Sequence, residues 1–520
     1  MAPAPSGPTR RGLLKSTGLL AAAPLAAAAW SRPAIAAPVF SANPFTLGVA
    51  SGDPVADGFV LWTRLAPDPL NGGGLPPDAT YEVRWEVADD DRFQRIVRRG
   101  IALARPAVGH SIHVDVQGLE PDRWYFYRFV AGNEASPIGR TRTFPVAGTP
   151  KDRLRFAFVS CQHYVQGHFN AYDAMLADNL DFILHLGDYI YENDTGPKIR
   201  WQLEEPKDLI GYRNHHALYK MDPSLQAAHG AYPFLLTWDD HDVQNDYAGA
   251  FSEDRAPIDV FLARRAAAYQ AYYEHMPLRR TALPLGPDMR LYTTSTFGDL
   301  SQLVLLDNRQ YRTDHACQGP DRFGGQLITN CDERIDPART MLGPTQERWV
   351  MRQLANARPA WKLIGQSLLM AELRQGPKGE SFWSAGWDGY AAGRQRLLDH
   401  IAQRKIKDVV VLGGDIHSFW VTDLKTDFRD TAAAPVATEF VTTSISSEGP
   451  SNDVFQAILP LNPHVKFAET RYRGYSLAEV TPESLRVDLR TMRTVARRDP
   501  VATTLRSYAV ERGKAGAKRV

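Results

Sequence analysis

Phe182-Ile-Leu-His-Leu-Gly-Asp-Tyr-Ile-Tyr191 is an apolar run that stops on Gly187 and then presents a carboxylate, Asp188, and a phenol, Tyr191. A buried strand ending in Gly-Asp is how an α/β sheet delivers a metal ligand to the crevice at its carboxyl edge, where such folds place their sites. Other apolar runs end the same way. Arg153 to Ser160 leads into Cys161, Pro233 to Trp238 into Asp239, Asp240, His241 and Asp242, and Asp408 to Gly414 into Asp415 and His417. A thiol, carboxylates, imidazoles and a phenol at strand ends read as a metallo-hydrolase centre.

Working outward, the chain divides by composition. Residues 1–36 are expected to be an export signal. Arg10-Arg11 with Leu13, Leu14 and Lys15 precede an Ala-rich stretch and the small-residue site Ala34-Ile35-Ala36, a pattern resembling a twin-arginine signal. The apolar segment is shorter than the ~20 residues of a membrane-spanning helix. Export implies the twin-arginine translocase as a partner and a periplasmic or secreted product. Over residues 44–146, period-two alternation (Tyr81, Val83, Trp85 and Val87; Ile112, Val114 and Val116) predicts a small β-sandwich. Leu119 to Tyr127 is similar to the tyrosine-corner segment of fibronectin III-like sandwiches. It carries no ligand cluster and reads as a packing module.

Val146 to Pro150 reads as a linker, and residues 151–510 as a larger α/β domain. Helices are expected at Asn170 to Leu180, Pro257 to His275, Thr345 to Ala357 and Gly393 to Arg404. Strands are expected at Leu300 to Leu306, Trp361 to Ile364 and Glu439 to Ile445, with a closing hairpin from Tyr475 and Leu485 and a polar, basic tail from Arg512. With 44% hydrophobic and 23% charged residues and a net charge of +1, the chain reads as a soluble monomer with no electrostatic footprint for nucleic acid. Of the three cysteines, Cys317 and Cys331 could close a disulfide in an oxidising compartment. Cys161 is left over, as a metal thiolate requires, although burial as a small hydrophobe is the commoner fate of a lone cysteine.

Ser160-Cys-Gln-His-Tyr164, Gly187-Asp-Tyr-Ile-Tyr-Glu192, Thr237-Trp-Asp-Asp-His-Asp242, Leu306-Asp-Asn-Arg-Gln-Tyr311 and Gly413-Gly-Asp-Ile-His417, in this order, resemble the PhoD-like phosphatase family, alkaline phosphatases of the calcineurin-like metallophosphoesterase superfamily. The resemblance implies a four-layer α/β/β/α core behind the sandwich, and a centre of one Fe³⁺ with Ca²⁺. It assigns Cys161, Tyr191 and His417 to iron, Asp188 as the bridge, and Asp240 and Asp415 to calcium. It places His241 at the phosphate. Arg309 is a candidate phosphate clamp or equally the partner of a nearby acid, and Asn245 and Gln366 are further amide candidates on the calcium side.

The donor types agree with that implication. An all-oxygen subsite suits a hard cation such as Ca²⁺. Thiolate, phenolate and imidazole favour a ferric ion, with Zn²⁺ as runner-up. The expected activity is hydrolysis of small phosphate monoesters and diesters at alkaline pH by attack of a metal-activated hydroxide. The alternatives are a phospholipase D-like diesterase acting on lipid head groups and a non-enzymatic binding module, which the intact donor set argues against.

Overall fold

The computed structural model describes residues 38–201, 203–319 and 323–520, so the expected export signal lies outside the described residues. Two sheets face each other. The first has ten strands in the order Lys518–Arg519, Ala502–Glu511, Ser484–Met492, Gly474–Val480, Leu154–Val159, Phe182–His185, Phe234–Leu236, Val49–Val55, Gly58–Arg64 and Ser111–Val116. The second has seven, in the order Thr293–Phe297, Ser301–Leu305, Trp361–Gly365, Val409–Gly413, Ala437–Val441, Phe419–Leu424 and Val465–Glu469.

Why the central strands are apolar without a break follows from their surroundings. Phe156, Phe158, Phe182 and Leu184 point between the sheets, where they meet Leu303, Leu305, Leu363, Val410 and Leu412. Their neighbours Ala157, Val159 and Ile183 point outward, into a core with Tyr212, Leu218, Leu225, Phe261 and Tyr269 from helices Leu209–Lys220, Pro223–Ala231 and Ile258–His275. On the far side, Val304, Ile364 and Val411 pack against Val350 and Leu354 of helix Gly343–Asn356 and Leu397, Leu398 and Ile401 of helix Ala391–Gln403. Sheets covered on both faces have no polar face to show. The layers are therefore α/β/β/α, as the resemblance implied.

Near the N-terminus, a further, five-stranded sheet of Ile96–Ala104, Tyr81–Ala88, Trp124–Ala131, Glu134–Ala135 and Gly139–Arg142 packs over Phe59, Leu61, Ile112 and Val114. Tyr125 donates its hydroxyl to the Glu120 carbonyl at 3.2 Å and accepts the Glu120 N–H at 3.1 Å, closing the corner. One layer of this sandwich is the end of the ten-stranded sheet, because Val49–Val55 pairs in parallel with Phe234–Leu236.

Some elements differ from expectation. The first helix stops at Met175 rather than continuing to Leu180. The strand expected to reach Ile445 ends at Val441, and Ser444 beyond it bridges to Ser160 of the other sheet. The C-terminal basic segment is an edge strand, with Ala517 buried and Tyr508 paired to Arg519. Helices Leu209–Lys220 and Pro223–Ala231 were not read from the sequence. Asp208 and Asp222 cap them by accepting the N–H groups of Gly211 and of Ser224 and Leu225, and Asp222-Pro223 was the available signal.

Candidate active site and metal centre

Five parallel strands from the two sheets release their chains into one crevice. After Val159 comes Cys161, after His185 come Asp188 and Tyr191, and after Leu236 come Asp239, Asp240 and His241. The second sheet adds Arg309 after Leu305, and Asp415 with His417 after Gly413. Gly187 has φ 115°, and a Cβ there would fall 2.6 Å from that of Asp239, so glycine is required for the two loops to touch. Cys161, Asp188, Asp415 and His417 all hold left-handed backbones, with φ 59°, 55°, 63° and 51°. Each is a cost that side chains other than glycine avoid unless the surroundings impose it.

Asp242 imposes part of it. Its Oδ2 accepts the N–H groups of Asp188 at 3.0 Å and Asp239 at 2.9 Å, and its Oδ1 those of Tyr189 at 3.0 Å and Ile190 at 3.3 Å. This carboxylate is a clamp on two loops and has no donor capacity left for a cation.

The donor atoms form three overlapping groups, each within 4.8 Å: Cys161, Asp188 and His417; Asp188, Asp240 and His241; Asp239, Asp240 and Asp415. Tyr191 belongs to the first by its hydroxyl, which lies 2.9 Å from Asp188 Oδ2 and 3.0 Å from His417 Nε2. His417 Nδ1 donates to the Glu448 carbonyl at 2.7 Å, which fixes the tautomer and leaves Nε2 as the lone-pair nitrogen. Buried Asp188 Oδ1 and Asp239 Oδ2 receive no hydrogen bond. Buried carboxylate oxygens without donors are costly unless a cation meets them.

The proton affinities say the same. Burial, then the Asp188 carboxylate, raises the Cys161 thiol and the Tyr191 phenol well above their ordinary values. Burial also raises Asp188, helped by Asp240, and Asp415, helped by Asp239. Burial and then Arg473 push the His417 imidazole down to about 3. Crowded acids that resist ionisation give up their protons to bound cations, so the donor set fits a metal pair.

Two positive groups already stand among the acids. Arg309 is 1% exposed; its Nε donates to Asp239, and its Nη2 lies 3.3 Å from Asp240 and 3.5 Å from Asp415. Between the two roles open to it, these contacts are those of an ion-pair partner beneath the carboxylates. His241 Nδ1 donates to Glu192 Oε2 at 2.7 Å, while Glu192 Oε1 accepts the Asn245 N–H at 2.8 Å. Burial opposes the imidazolium, but Glu192 and then Asp188 outweigh it and hold His241 well above its ordinary value. The Tyr191 ring is stacked between His163 at 4.3 Å and His241 at 4.1 Å.

The sequence candidates Cys161, Asp188, Tyr191, Asp240, His241, Asp415 and His417 thus converge. Asn245 lines the cleft. Gln366 does not, because its amide is taken up by Leu368 and by Trp387 Nε1. Asp239, Asp242, Glu192 and Glu448 were given no role in advance. Asp239 and Asp242 stood inside the quoted Asp-Asp-His-Asp motif and Glu192 next to Tyr191, so the signal was there for those three. Glu448 acts through its carbonyl, which no residue type announces. Cys317 and Cys331 are joined in a disulfide, and Cys161 is the free cysteine.

Comparison with known proteins supplies the family. The model for "PhoD-like phosphatase" matches residues 156–489 and that for its N-terminal domain residues 29–145. The chain is 44% identical over 496 residues to alkaline phosphatase D of Bacillus subtilis (strain 168), covering 93% of this chain and 84% of the relative. It superposes on a solved structure of PhoD with a TM-score of 0.89 at 43% identity, covering 93% of each chain. The chain belongs to the PhoD-like phosphatase family, a family of phosphate-ester hydrolases.

Proposed function

We propose that this chain is an exported alkaline phosphatase and phosphodiesterase that uses ferric iron and calcium. The observation that carries the reading is the division of the donor groups, which share Asp188 and Asp240 but differ in kind. Cys161, Tyr191 and His417 offer sulfur, phenol and imidazole, a set suited to Fe³⁺. Asp239, Asp240 and Asp415 offer only oxygen, suited to Ca²⁺. When bound, such a pair supplies an activated water and neutralises phosphate oxygens.

The protein's own groups do the rest. Asp188 belongs to the group with Cys161 and His417 and to the group with Asp240, so it would be the carboxylate common to both ions. Arg309, buried below, keeps Asp239, Asp240 and Asp415 oriented against their mutual repulsion. His241, protonated through Glu192, donates to a phosphate oxygen or to the departing alkoxide. Export is part of the same proposal. The paired arginines support it, as does the Cys317–Cys331 disulfide, a bond that persists in oxidising compartments.

One experiment tests the reading. Protein purified without chelator is analysed for metals and visible absorption and assayed on aryl phosphate mono- and diesters at alkaline pH. Iron and calcium together, a charge-transfer colour and turnover of both ester classes are expected. A colourless, fully active protein holding only zinc removes the iron assignment, and absence of turnover removes the phosphatase one.

A further inference from the structure

The cleft over the donor groups has a volume of about 700 Å³, and its lining mixes two kinds of residue. Asp188, Asp240, His241, Asp415 and His417 line it together with the apolar Leu369, Leu373, Trp383, Ile416, Val454 and Phe455. Among the described residues that line it there is no lysine or arginine.

Part of the apolar lining is the open edge of a small core. Leu369, Ile416 and Phe455 pack with Leu373 around Trp420, which Phe455 meets edge-on at 5.3 Å. Packing accounts for those residues but not for Trp383 and Val454, which are 42% and 58% exposed and lie outside every core cluster.

Trp383 is held in place deliberately. It sits on a two-stranded ribbon, Leu327–Thr329 with Ser381–Trp383, whose alternation turns Phe382 into a cluster with Ala316, Ile328 and Cys331 and leaves Trp383 on the opposite face. The Cys317–Cys331 disulfide braces that cluster. Gly325 lies against the indole, where a Cβ would come within 2.6 Å of Cζ2. The Gly325 N–H donates to Asp246 Oδ2 at 2.8 Å, and the Asp246 N–H to Asp240 Oδ2 at 2.7 Å. The exposed ring is thereby tied, through two hydrogen bonds, to a carboxylate of the donor set.

Hydrophobic residues that share the cleft with the donor groups and are tied to one of them, with no lysine or arginine in the described lining, would select for what the phosphate is attached to. We infer that Trp383 and Val454 form a subsite for the alcohol portion of the ester, so that the preferred substrate joins one phosphoryl centre to a bulky, uncharged, apolar group. This rests on the phosphatase reading above and names its substrate class. Aromatic and alkyl alcohols share the required chemistry. Each methylene or ring face buried there contributes about 1 kcal/mol, so a six-carbon or bicyclic group gains about tenfold or more.

The test compares ethyl phosphate with hexyl phosphate and 2-(1-naphthyl)ethyl phosphate, which leave with alcohols of similar acidity, in the metal-loaded wild type and in Trp383→Ala and Val454→Asp. The wild type should favour hexyl or naphthylethyl phosphate over ethyl phosphate by about tenfold or more in kcat/KM. A preference for only one of the two supports the subsite and identifies its alcohol as alkyl or aromatic. Each variant should cut the preference about fivefold without moving the inhibition constant of inorganic phosphate, which reads the donor groups. Turnover with no preference, or a preference both variants retain, overturns this inference alone. No turnover of any ester overturns the phosphatase reading as well.

Discussion

Asp242→Asn probes the carboxylate that sets the geometry of the crevice without joining the donor set. Its two oxygens accept four backbone N–H groups from the loops that carry Asp188 and Asp239. Asparagine preserves the shape and keeps one acceptor, enough for Tyr189 and Ile190. Its amide nitrogen then faces the N–H groups of Asp188 and Asp239, donor against donor. Burial raises the Asp242 carboxyl to about 7, so above that pH it is charged; hydrogen bonds to a charged group each contribute about 1.5–3 kcal/mol, and losing two there destabilises the fold by about 3–6 kcal/mol. Net stabilities are typically ~5–15 kcal/mol, and at a urea slope of about 3 kcal/mol/M the loss should move the midpoint down by about 1–2 M. Because the freed loops carry Asp188, Asp239 and Asp240, metal affinity should fall about 10- to 100-fold, the range seen when supporting contacts are removed. Urea unfolding followed by fluorescence, with metal content measured on the same samples, reads both effects. An unchanged midpoint together with full metal occupancy would refute the clamp.

Two further outcomes are expected. Glu192→Gln retains an acceptor for the Asn245 N–H but removes the largest opposing charge beside His241. Since that charge raises the imidazole, protonated His241 should vanish at lower pH, the alkaline limb of the kcat profile should move acidward, and kcat above it should fall about 10²-fold; an unmoved limb argues against His241 as the proton donor. EGTA should abolish hydrolysis while the visible colour persists, because an oxygen-only subsite exchanges its ion more readily than one holding thiolate and phenolate. Added Ca²⁺ should restore the rate, and hydrolysis that EGTA leaves untouched argues against a catalytic calcium.

The legible part of the site was the part written in side chains at strand ends. Asp188 and Tyr191 after Gly187, or Asp415 and His417 after Gly414, follow directly from an apolar run that stops on glycine. The unread part lay in partnerships made across the fold. Arg309 could as well have faced a phosphate, and only its burial against Asp239, Asp240 and Asp415 distinguishes the two roles. Gln366 had a suitable amide at a strand end, but its own turn and Trp387 occupy it. The same limit governed the fold. The runs at Phe156, Phe182 and Val410 announced buried strands because both of their faces are covered. Helix Leu209–Lys220 was missed because His215, His216, Tyr219 and Lys220 are buried in it, so its inner face carries no simple apolar stripe.

The shared sheet has a consequence for how the chain reaches this structure. Among the described residues, the strands Val49–Val55, Gly58–Arg64 and Ser111–Val116 join the rest of their sheet through the pairing of Val49–Val55 with Phe234–Leu236, and Trp62 and His113 dock on helix Ile258–His275, at Glu274 and Tyr273. During synthesis the strands between residues 49 and 116 are thus an unfinished layer, with an open flank until residues 234–275 have emerged. A fragment starting near residue 150 would have the opposite defect, a bare Phe-Leu-Leu flank that invites strands of other copies. The front segment is therefore no removable cassette: the two portions can be made in sequence but must be completed together.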